Sequence, residues 1–310
     1  MNFSTMEYFV ILAEERNFTK AAERLHITQQ SLSSHIANLE NDLGCQLVVR
    51  RSPLQLTFAG EMMLQYAESF HKEYTDMVHE FHDISQRQFG ILHVGTSATR
   101  ARTILPDVIC SFQQLFPNIC VDLSEAPNSS LFKQLQEGKL DLVIAVFPKK
   151  IPGIALREYY QEEVVLLIQK EMFHSICGTD ADKYMQCFKE GDFRELSKCP
   201  FVLGGVDDID GRIGRALFDR NGIKKPAVKA ISHSMGPLLA LCLQGVGACF
   251  CPENLARSSL TAEQFNSLLL FQIDKDAQYP VSFGYQINSY QWSIIEAFMT
   301  CAQSKTEKCL

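Results

Sequence analysis

Residues 17–44 read NFTKAAERLHITQQSLSSHIANLENDLG. Apolar residues recur there at helical spacing in two groups, which predicts two short helices separated by residues 25–28. Asn17 and Thr28 belong to the residue types that cap helix N-termini, and Gly44 is expected to end the second helix. Two helices joined so tightly are typical of a helix-turn-helix. The preceding residues predict another helix, with Ser4 as its cap.

The second helix of this pair has an outward face of small or amide-bearing side chains. Such a face suits a DNA major groove, because amides pair with base edges and hydroxyls contact phosphates. The helix N-terminus adds backbone donors for a phosphate. The alternative is an ordinary solvated face, which usually carries more Lys and Glu. The candidate DNA-contacting residues of this helix are Thr28, Gln29, Gln30, Ser31, Ser33 and Ser34.

A short hairpin is predicted directly after Gly44. Residues 47–49 and 54–56 favour two strands, and Arg50 and Arg51 lie at the turn between them. This is the pattern of a wing, whose tip offers arginines to the DNA backbone or the minor groove. The alternative is an ordinary exposed turn.

The first 60 residues of the sequence resemble the N-terminal winged helix of LysR-type transcriptional regulators. The rest of the chain has the length and layout of that family's effector domain. Gln30, Ser34, Asn17 and Val48-Val49 depart from the family's commonest residues, which leaves the operator sequence open. The resemblance implies operator DNA, a small-molecule effector, a second copy of the chain and RNA polymerase as partners. The matching residues are Phe9, Phe18, Thr19, Ala21, Ala22, Leu25, Gln29, Ser33, Ile36, Leu39, Glu40, Leu43, Gly44, Leu47, Arg50, Leu56, Thr57 and Gly60.

Residues 61–88 form one helical pattern without proline or glycine. Its apolar residues are spaced by three or four positions, as in a coiled-coil seam with one stutter. A helix that buries one narrow stripe needs a partner, and the resemblance implies that this is the dimerisation helix, forming a dimer or a tetramer. The alternative is a helix packed on its own C-terminal domain. The predicted seam consists of Met63, Tyr66, Phe70, Tyr74, Met77, Phe81 and Ile84.

From Gly90 onward, short apolar runs alternate with helical segments, which predicts parallel sheets in two α/β lobes. One helix is expected over residues 98–116, and residues 173–196 are interpreted as an insertion in the second lobe. The expected fold is therefore α/β: an N-terminal winged helix-turn-helix, a long linker helix and a C-terminal two-lobed, periplasmic-binding-protein-like effector domain. The expected boundaries are 1–60, 61–88 and 90–303, with lobe 1 about 90–162 and 270–303 and lobe 2 about 163–269.

Ligands of such sheets bind beyond the carboxyl ends of the strands, where helices begin. Hydroxyls and backbone donors at these ends suit a small anionic or polar effector, although Ser, Thr and Asn also serve as ordinary helix caps. Arg100 and Arg102 could pair with a carboxylate or serve the contact between domains. The candidate effector-binding residues are Ser97, Ala98, Thr99, Asn128, Ser129, Val146, Phe147, Gly204, Gly205 and His233.

The composition and charge of the chain exclude several classes of protein. A hydrophobic fraction of 46% with 21% charged residues is that of a globular protein, and the net charge of −7 argues against a non-specific nucleic-acid coater. The absence of a leader and of a long apolar segment favours a cytoplasmic protein without a membrane partner, and the resemblance implies a bacterial one. No catalytic motif, metal site or cofactor is expected, so the chain is not predicted to be an enzyme.

Two rival interpretations remain open at this stage. The 11 cysteines raise the alternative of a thiol-based redox sensor on the same scaffold, with Cys199 beside Lys198 as a weak candidate. A solute-binding protein would not explain residues 1–60. The pair Cys249 and Cys251 alternates along an apolar strand and is interpreted as core rather than a metal site.

Overall fold

The computed structural model describes residues 3–51, 53–85, 88–148, 150–287 and 289–309. Fourteen α-helices and eleven strands occur within these ranges. The helices are α1 (Phe3–Glu15), α2 (Phe18–Arg24), α3 (Gln29–Leu43), α4 (Phe58–Ile84), α5 (Ala98–Thr103), α6 (Leu105–Leu115), α7 (Asn128–Gln136), α8 (Lys170–Cys177), α9 (Ala181–Lys189), α10 (Ile209–Arg220), α11 (Met235–Leu243), α12 (Glu253–Ser259), α13 (Ala262–Asn266) and α14 (Ser293–Cys309).

The strands form the hairpin of the wing and the sheets of the C-terminal half. They are β1 (Val48–Val49), β2 (Gln55–Leu56), β3 (Gly90–Thr96), β4 (Ile119–Glu125), β5 (Leu142–Ala145), β6 (Ile154–Gln169), β7 (Pro200–Leu203), β8 (Ala227–Ile231), β9 (Cys249–Pro252), β10 (Leu268–Gln272) and β11 (Gln278–Gln286).

The N-terminal domain consists of α1–α3 and the β1–β2 hairpin around one apolar core. Three capping predictions for its helices are confirmed: Asn17 caps α2, Thr28 caps α3, and Gly44 ends α3 in a left-handed conformation with φ of 68°. Ser4 lies inside α1 rather than at its cap, because the helix already includes Phe3. The helix-turn-helix and its wing therefore form as predicted.

Helix α4 runs from the wing to the effector domain. Thr57 caps its first turn, and a Cβ atom at Gly60 would lie 2.0 Å from the carbonyl oxygen of Leu47. Only glycine lets the helix start so close to the wing. The first half of α4 packs on the N-terminal core through Met63 and Ala67. Met63 therefore belongs to its own domain's core and leaves the predicted seam, because the helix turns this position inward.

The C-terminal half consists of two lobes that share strand β6. The first part of β6 pairs with β11, and the sheet continues from β11 through β5 and β3 to β4. The last residues of β6 pair with β9 and β10. Strands β7 and β8 pair in parallel and contact the end of β9 through Phe201 and Ala248. The mixed α/β fold is thus as predicted, with parallel strands in each lobe and antiparallel strands where the chain crosses.

Two segments of the effector domain differ from the sequence prediction. The helix expected over residues 98–116 is divided at Ile104 into α5 and α6, because Pro106 occupies the first turn of α6 and has no N–H to continue a helix. The segment interpreted as an insertion folds into α8 and α9. Its Phe173 and Phe188 are fully buried in the core of lobe 2, so it is part of that core.

Candidate functional site

The start of α3 presents exposed amide and hydroxyl side chains. Thr28 accepts a hydrogen bond from the backbone N–H of Ser31, which fixes the first turn. Thr28, Gln29, Gln30 and Ser34 are exposed, and Ser31 and Ser33 are half-buried beside them. The opposite side of α3, with Leu32, Ile36 and Leu39, lies in the core. The six candidate residues therefore share one outward face.

The two wing arginines have different surroundings. Arg50 extends back toward α3, where its Nη1 donates to Ser33 Oγ over 3.2 Å and its Nη2 lies 3.7 Å from Glu40 Oε2. Its guanidinium also covers the ring of Phe18. Arg51 is exposed, and the structure gives its side chain no ion-pair partner among the described residues. Arg51 is thus the freer cation of the wing.

Glu40 matches the family pattern in the sequence, but only the structure shows what it does. Its Oε1 accepts hydrogen bonds from the backbone N–H groups of Leu47 and Val48, at 2.8 and 3.2 Å. A carboxylate on α3 therefore fixes the first strand of the wing relative to the recognition helix, and with it the position of Arg50.

In lobe 1, the candidate effector residues meet at the carboxyl ends of three strands. Ser97 precedes α5, Asn128 begins α7, and Val146 follows β5. The side-chain amide of Asn128 donates to the carbonyl oxygen of Val146 over 3.3 Å, which joins two of these ends. Phe147 stacks on Phe132 of α7 with ring centroids 4.6 Å apart. The structure thus brings the lobe 1 candidates into one group.

In lobe 2, three of the four backbone polar groups of Gly204 and Gly205 have partners within the chain. The N–H of Gly205 donates to Asp208 Oδ2, and the carbonyl oxygens of both glycines accept from Arg215. The N–H of Gly205 is therefore already used within the chain and is not free for a ligand. His233 is 77% exposed and lies 3.2 Å from the same Asp208 oxygen.

Arg100, a candidate partner for a ligand carboxylate, is instead buried in an ion pair. Its Nη2 lies 2.6 Å from Glu162 Oε2, and both side chains are about 95% inaccessible. Glu162 also accepts from the hydroxyls of Tyr160 and Tyr279. Burial alone would lower the pKa of Arg100, but Glu162 raises it above its ordinary value, so Arg100 stays charged. This cluster lies where β6 passes between the lobes.

Asp210, at the start of α10, is a polar residue that the sequence interpretation missed. Its Oδ2 is buried and has no hydrogen-bond partner in the described part of the chain. Burial raises the pKa of Asp210 to about 6, and the charge of Asp208 adds to that shift. The Arg215 guanidinium opposes that rise, so an anion and a cation both act on this carboxyl.

The predicted seam of α4 is exposed from its second member onward. Tyr66, Phe70, Tyr74, Met77, Phe81 and Ile84 are between 40% and 71% exposed. The buried side of the helix contacts lobe 1: His79 stacks on Trp292 with ring centroids 3.9 Å apart, and Asp83 accepts from the backbone and hydroxyl of Ser293. Helix α4 thus packs on its own effector domain and still presents an apolar stripe.

The cysteines with a resolved shift are all less acidic than an ordinary thiol. Burial raises the pKa of Cys199 to about 12, and it raises the pKa of Cys177 and Cys301 as well. Cys249 and Cys251 are buried in lobe 2. Cys45, Cys110 and Cys120 are exposed. Cys199, the redox candidate, is therefore a buried core thiol.

Within the ranges given above, the structure contains no group of three or more His, Cys, Asp or Glu side chains arranged to hold a metal ion. Over the same ranges, every helix is too short or too polar to cross a bilayer.

Two family models match the chain. A model described as "Bacterial regulatory helix-turn-helix protein, lysR family" matches residues 3–61. A model described as "LysR substrate binding domain" matches residues 85–307. Residues 62–84 of α4 lie between the two matches.

Similar proteins and structures cover most of the chain. The uncharacterized HTH-type transcriptional regulator YcgK of Bacillus subtilis (strain 168) is 33% identical over 99% of this chain and 96% of its own length. The DNA-binding transcriptional dual regulator OxyR of Escherichia coli (strain K12) is 33% identical over 55% of this chain and 56% of its own. The crystal structure of full-length CbnR with its target DNA has the same fold, with a TM-score of 0.64 and 21% identity over 98% of this chain and all of CbnR.

Proposed function

The chain belongs to the LysR family of bacterial regulatory helix-turn-helix proteins, and from that premise we propose that it reads specific operator sites through α3 and responds to a small effector bound between its lobes. The single observation that carries the proposal is the outward face of α3. Exposed amides and hydroxyls are concentrated in its first turns, next to a wing that carries two arginines. These groups match what base edges and phosphates require.

A dimer is part of this proposal. One recognition helix contacts too few bases for selectivity, and two helices reading half-sites about one turn of DNA apart roughly double the readout. The exposed stripe of α4 from Tyr66 to Ile84 supports pairing with a second copy, and we assign Met63 to the N-terminal core instead. Tyr74→Glu should shift the oligomeric state toward the monomer in analytical ultracentrifugation, whereas an unchanged state would remove the stripe from the interface.

The effector is proposed to bind at the strand ends of lobe 1. Ser97, Thr99 and Ser129 offer hydroxyls there, and Val146 and Phe147 form the wall. Because Glu162 already neutralises Arg100, we expect a polar ligand held mainly by neutral hydrogen bonds.

We retain the domain boundaries 1–60, 61–88 and 90–303 and a cytoplasmic location as parts of the proposal. The proposal includes no catalytic step.

Selection of genomic DNA fragments tests the DNA-reading function. We expect the wild-type protein to enrich a small set of fragments and to protect two half-sites on them in a footprint. The Gln29→Ala/Gln30→Ala double variant should lose this enrichment and keep weak binding to all fragments, because phosphate contacts remain. Gln278→Ala is the matched control, since it removes an exposed glutamine from the effector domain. Equal enrichment by the double variant and the wild type would contradict the proposal.

A thermal-shift screen of small polar metabolites tests the effector function. A ligand that binds only the folded state raises the melting temperature. Ser129→Ala should then weaken binding of the hit about 3- to 10-fold, as the loss of one neutral hydrogen bond predicts. If every hit binds Ser97→Ala and Ser129→Ala as tightly as the wild type, the site lies elsewhere.

A redox-sensing function is the second candidate, and the likeness to OxyR favours it. The raised pKa of Cys199 opposes it, because the thiolate is the reactive form. Thiol titration before and after peroxide decides between the two. Loss of reactive thiols together with altered operator binding would support a redox sensor, and unchanged operator binding would remove it.

A further inference from the structure

The turn that follows α7 brings lobe 1 against the N-terminal domain of the same chain. Lys139 Nζ lies 3.4 Å from Glu14 Oε1 of α1 and 3.6 Å from Glu68 Oε1 of α4. It is also 3.2 Å from Glu137 Oε2 within the turn. One ammonium group is therefore shared by carboxylates from three parts of the molecule.

The backbone of this turn is fixed by its own hydrogen bonds. Gly138 has a φ of 72°, its N–H donates to Leu135, and the N–H of Lys139 donates to Gln134. This is a Schellman motif, which requires a left-handed residue after the helix. A Cβ atom at Gly138 would lie 3.1 Å from the side chain of Lys72 on α4. The glycine therefore ends α7 and allows close contact with α4.

The other end of α7 lies at the proposed effector region. Asn128 begins the helix and donates to Val146, and Phe132 in its middle stacks on Phe147. Leu131 and Leu135 are fully buried against lobe 1, so the helix is held along its length. A nine-residue helix is about 13 Å long, and it thus joins the effector region to the N-terminal domain directly.

Charge balance favours this contact. Burial alone would lower the pKa of Lys139, but Glu137, Glu14 and Glu68 together raise it above its ordinary value. Burial raises the pKa of Glu68, and Lys139 opposes that rise. Glu14 also pairs with Arg24 at 2.8 Å and Glu137 with Lys133 at 3.5 Å, each within its own part of the molecule. Lys139 is the cation whose ion pairs cross from lobe 1 to α1 and α4.

We propose that the turn Glu137-Gly138-Lys139 is an interdomain latch, which holds the N-terminal domain against lobe 1 and transmits changes in the effector region through α7. The effector part of this inference rests on the proposed function. The latch itself requires neither DNA nor effector and is testable without them.

Zero-length carbodiimide cross-linking of the wild-type protein, without DNA, tests the contact first. The reaction joins an amine and a carboxylate that touch, so mass spectrometry should find Lys139 linked to Glu14 or Glu68. Lys133, which is exposed on α7 and pairs with Glu137, should link within its own lobe only. Absence of any link from Lys139 to Glu14 or Glu68 would overturn the proposal.

Hydrogen–deuterium exchange then tests the transmission. Lys139→Glu should speed amide exchange about 2- to 5-fold at the end of α1 and along α7, including residues 128–132, as expected for losing ion pairs of this exposure. Lys133→Glu makes the same charge change without reaching the N-terminal domain and should leave α1 unchanged. Lys139→Glu/Glu68→Lys restores an opposite pair and should recover slow exchange.

Two outcomes of the exchange experiment overturn the proposal. Unchanged exchange at α1 in Lys139→Glu would show that the turn holds nothing. Faster exchange at α1 with unchanged exchange at residues 128–132 would show that α7 does not connect the two regions. If the genomic selection fails while the cross-links and exchange appear as expected, the latch stands and the proposed DNA function does not.

Discussion

Arginine has opposite roles in the recognition face and in the interior of the effector domain. Arg51 extends from the wing into solvent, whereas Arg100 is buried with Glu162, Tyr160 and Tyr279 around it. The first keeps its charge available for a phosphate. The second has its charge neutralised within the chain and stabilises the place where β6 connects the lobes.

The two regions differ in how far apart their partners lie in the sequence. The caps and the wing contact of the N-terminal domain join residues within 17 positions of each other, such as Ser33 and Arg50. Arg100 and Glu162 are 62 positions apart. The exposed side chains proposed to contact DNA are thus positioned by contacts between residues close in sequence. The buried charges find their partners only when distant segments come together in the complete fold.

The largest expected effect comes from breaking the buried pair. Arg100→Met leaves the Glu162 carboxylate buried without its cation and should lower the free energy of unfolding by about 3–5 kcal/mol. Urea unfolding followed by the fluorescence of Trp292, the single tryptophan, measures this. Arg257→Met, which breaks the exposed pair with Glu253, is the control and should cost less than about 1 kcal/mol. Similar costs for both variants would show that the burial of Arg100 is unimportant.

The next effect concerns the buried contact of the linker helix. Burial lowers the pKa of His79 to about 4 from an ordinary 6.5, with a further contribution from His82. Between these two values the unfolded chain binds a proton that the folded protein does not. Stability that is fully present above pH 6.5 is therefore lost as the pH falls to 4, by about 3 kcal/mol.

His79→Phe keeps an aromatic ring beside Trp292 and removes the titration. Its free energy of unfolding should fall less than that of the wild type between pH 7 and pH 4, as urea unfolding at each pH shows. His174→Phe changes an exposed histidine and serves as the control. If His79→Phe and the wild type lose stability in parallel, His79 is not held neutral by the fold.

The sequence alone predicts the helix ends of the N-terminal domain, because each end depends on residues that are close together in the chain. Asn17, Thr28 and Gly44 each act within a few residues, so their types alone predict where helices begin and end. Met63 was placed wrongly in the seam, because a periodic pattern does not show which face of a helix meets its own domain and which meets a partner.

The effector region was predicted only as a set of strand ends. Strand β6 runs from Ile154 to Gln169 and so crosses the expected boundary between the lobes at residues 162 and 163. The buried partner of Arg100 and the internal partners of Gly204 and Gly205 depend on contacts between distant segments. Those contacts decide which polar groups remain free for a ligand, and sequence spacing does not contain them.

The recognition face is expected to give an effect that depends on DNA sequence. Gln29→Ala should cost about 1–3 kcal/mol of binding free energy at a selected operator and little at random DNA, because an amide pairs with a base edge only at the cognate position. Fluorescence anisotropy with both duplexes measures the difference, with Gln278→Ala as the control. Equal losses on the two duplexes would mean that Gln29 contacts phosphate rather than bases.

The smallest effect separates the two arginines of the wing. Arg51 is exposed and its side chain has no ion-pair partner in the described part of the chain, so Arg51→Ala should weaken binding to all DNA about equally. The slope of log K against log salt should decrease by about one unit, as expected for one lost phosphate contact.

Arg50 lies near Glu40 and donates to Ser33, so part of its charge is already balanced. Arg50→Ala should therefore change the slope less than Arg51→Ala does. Anisotropy titrations at several salt concentrations measure both slopes. A larger change for Arg50→Ala would show that Arg50 leaves α3 when DNA binds, and the contrast between a free and an internally paired arginine would then hold only for Arg100.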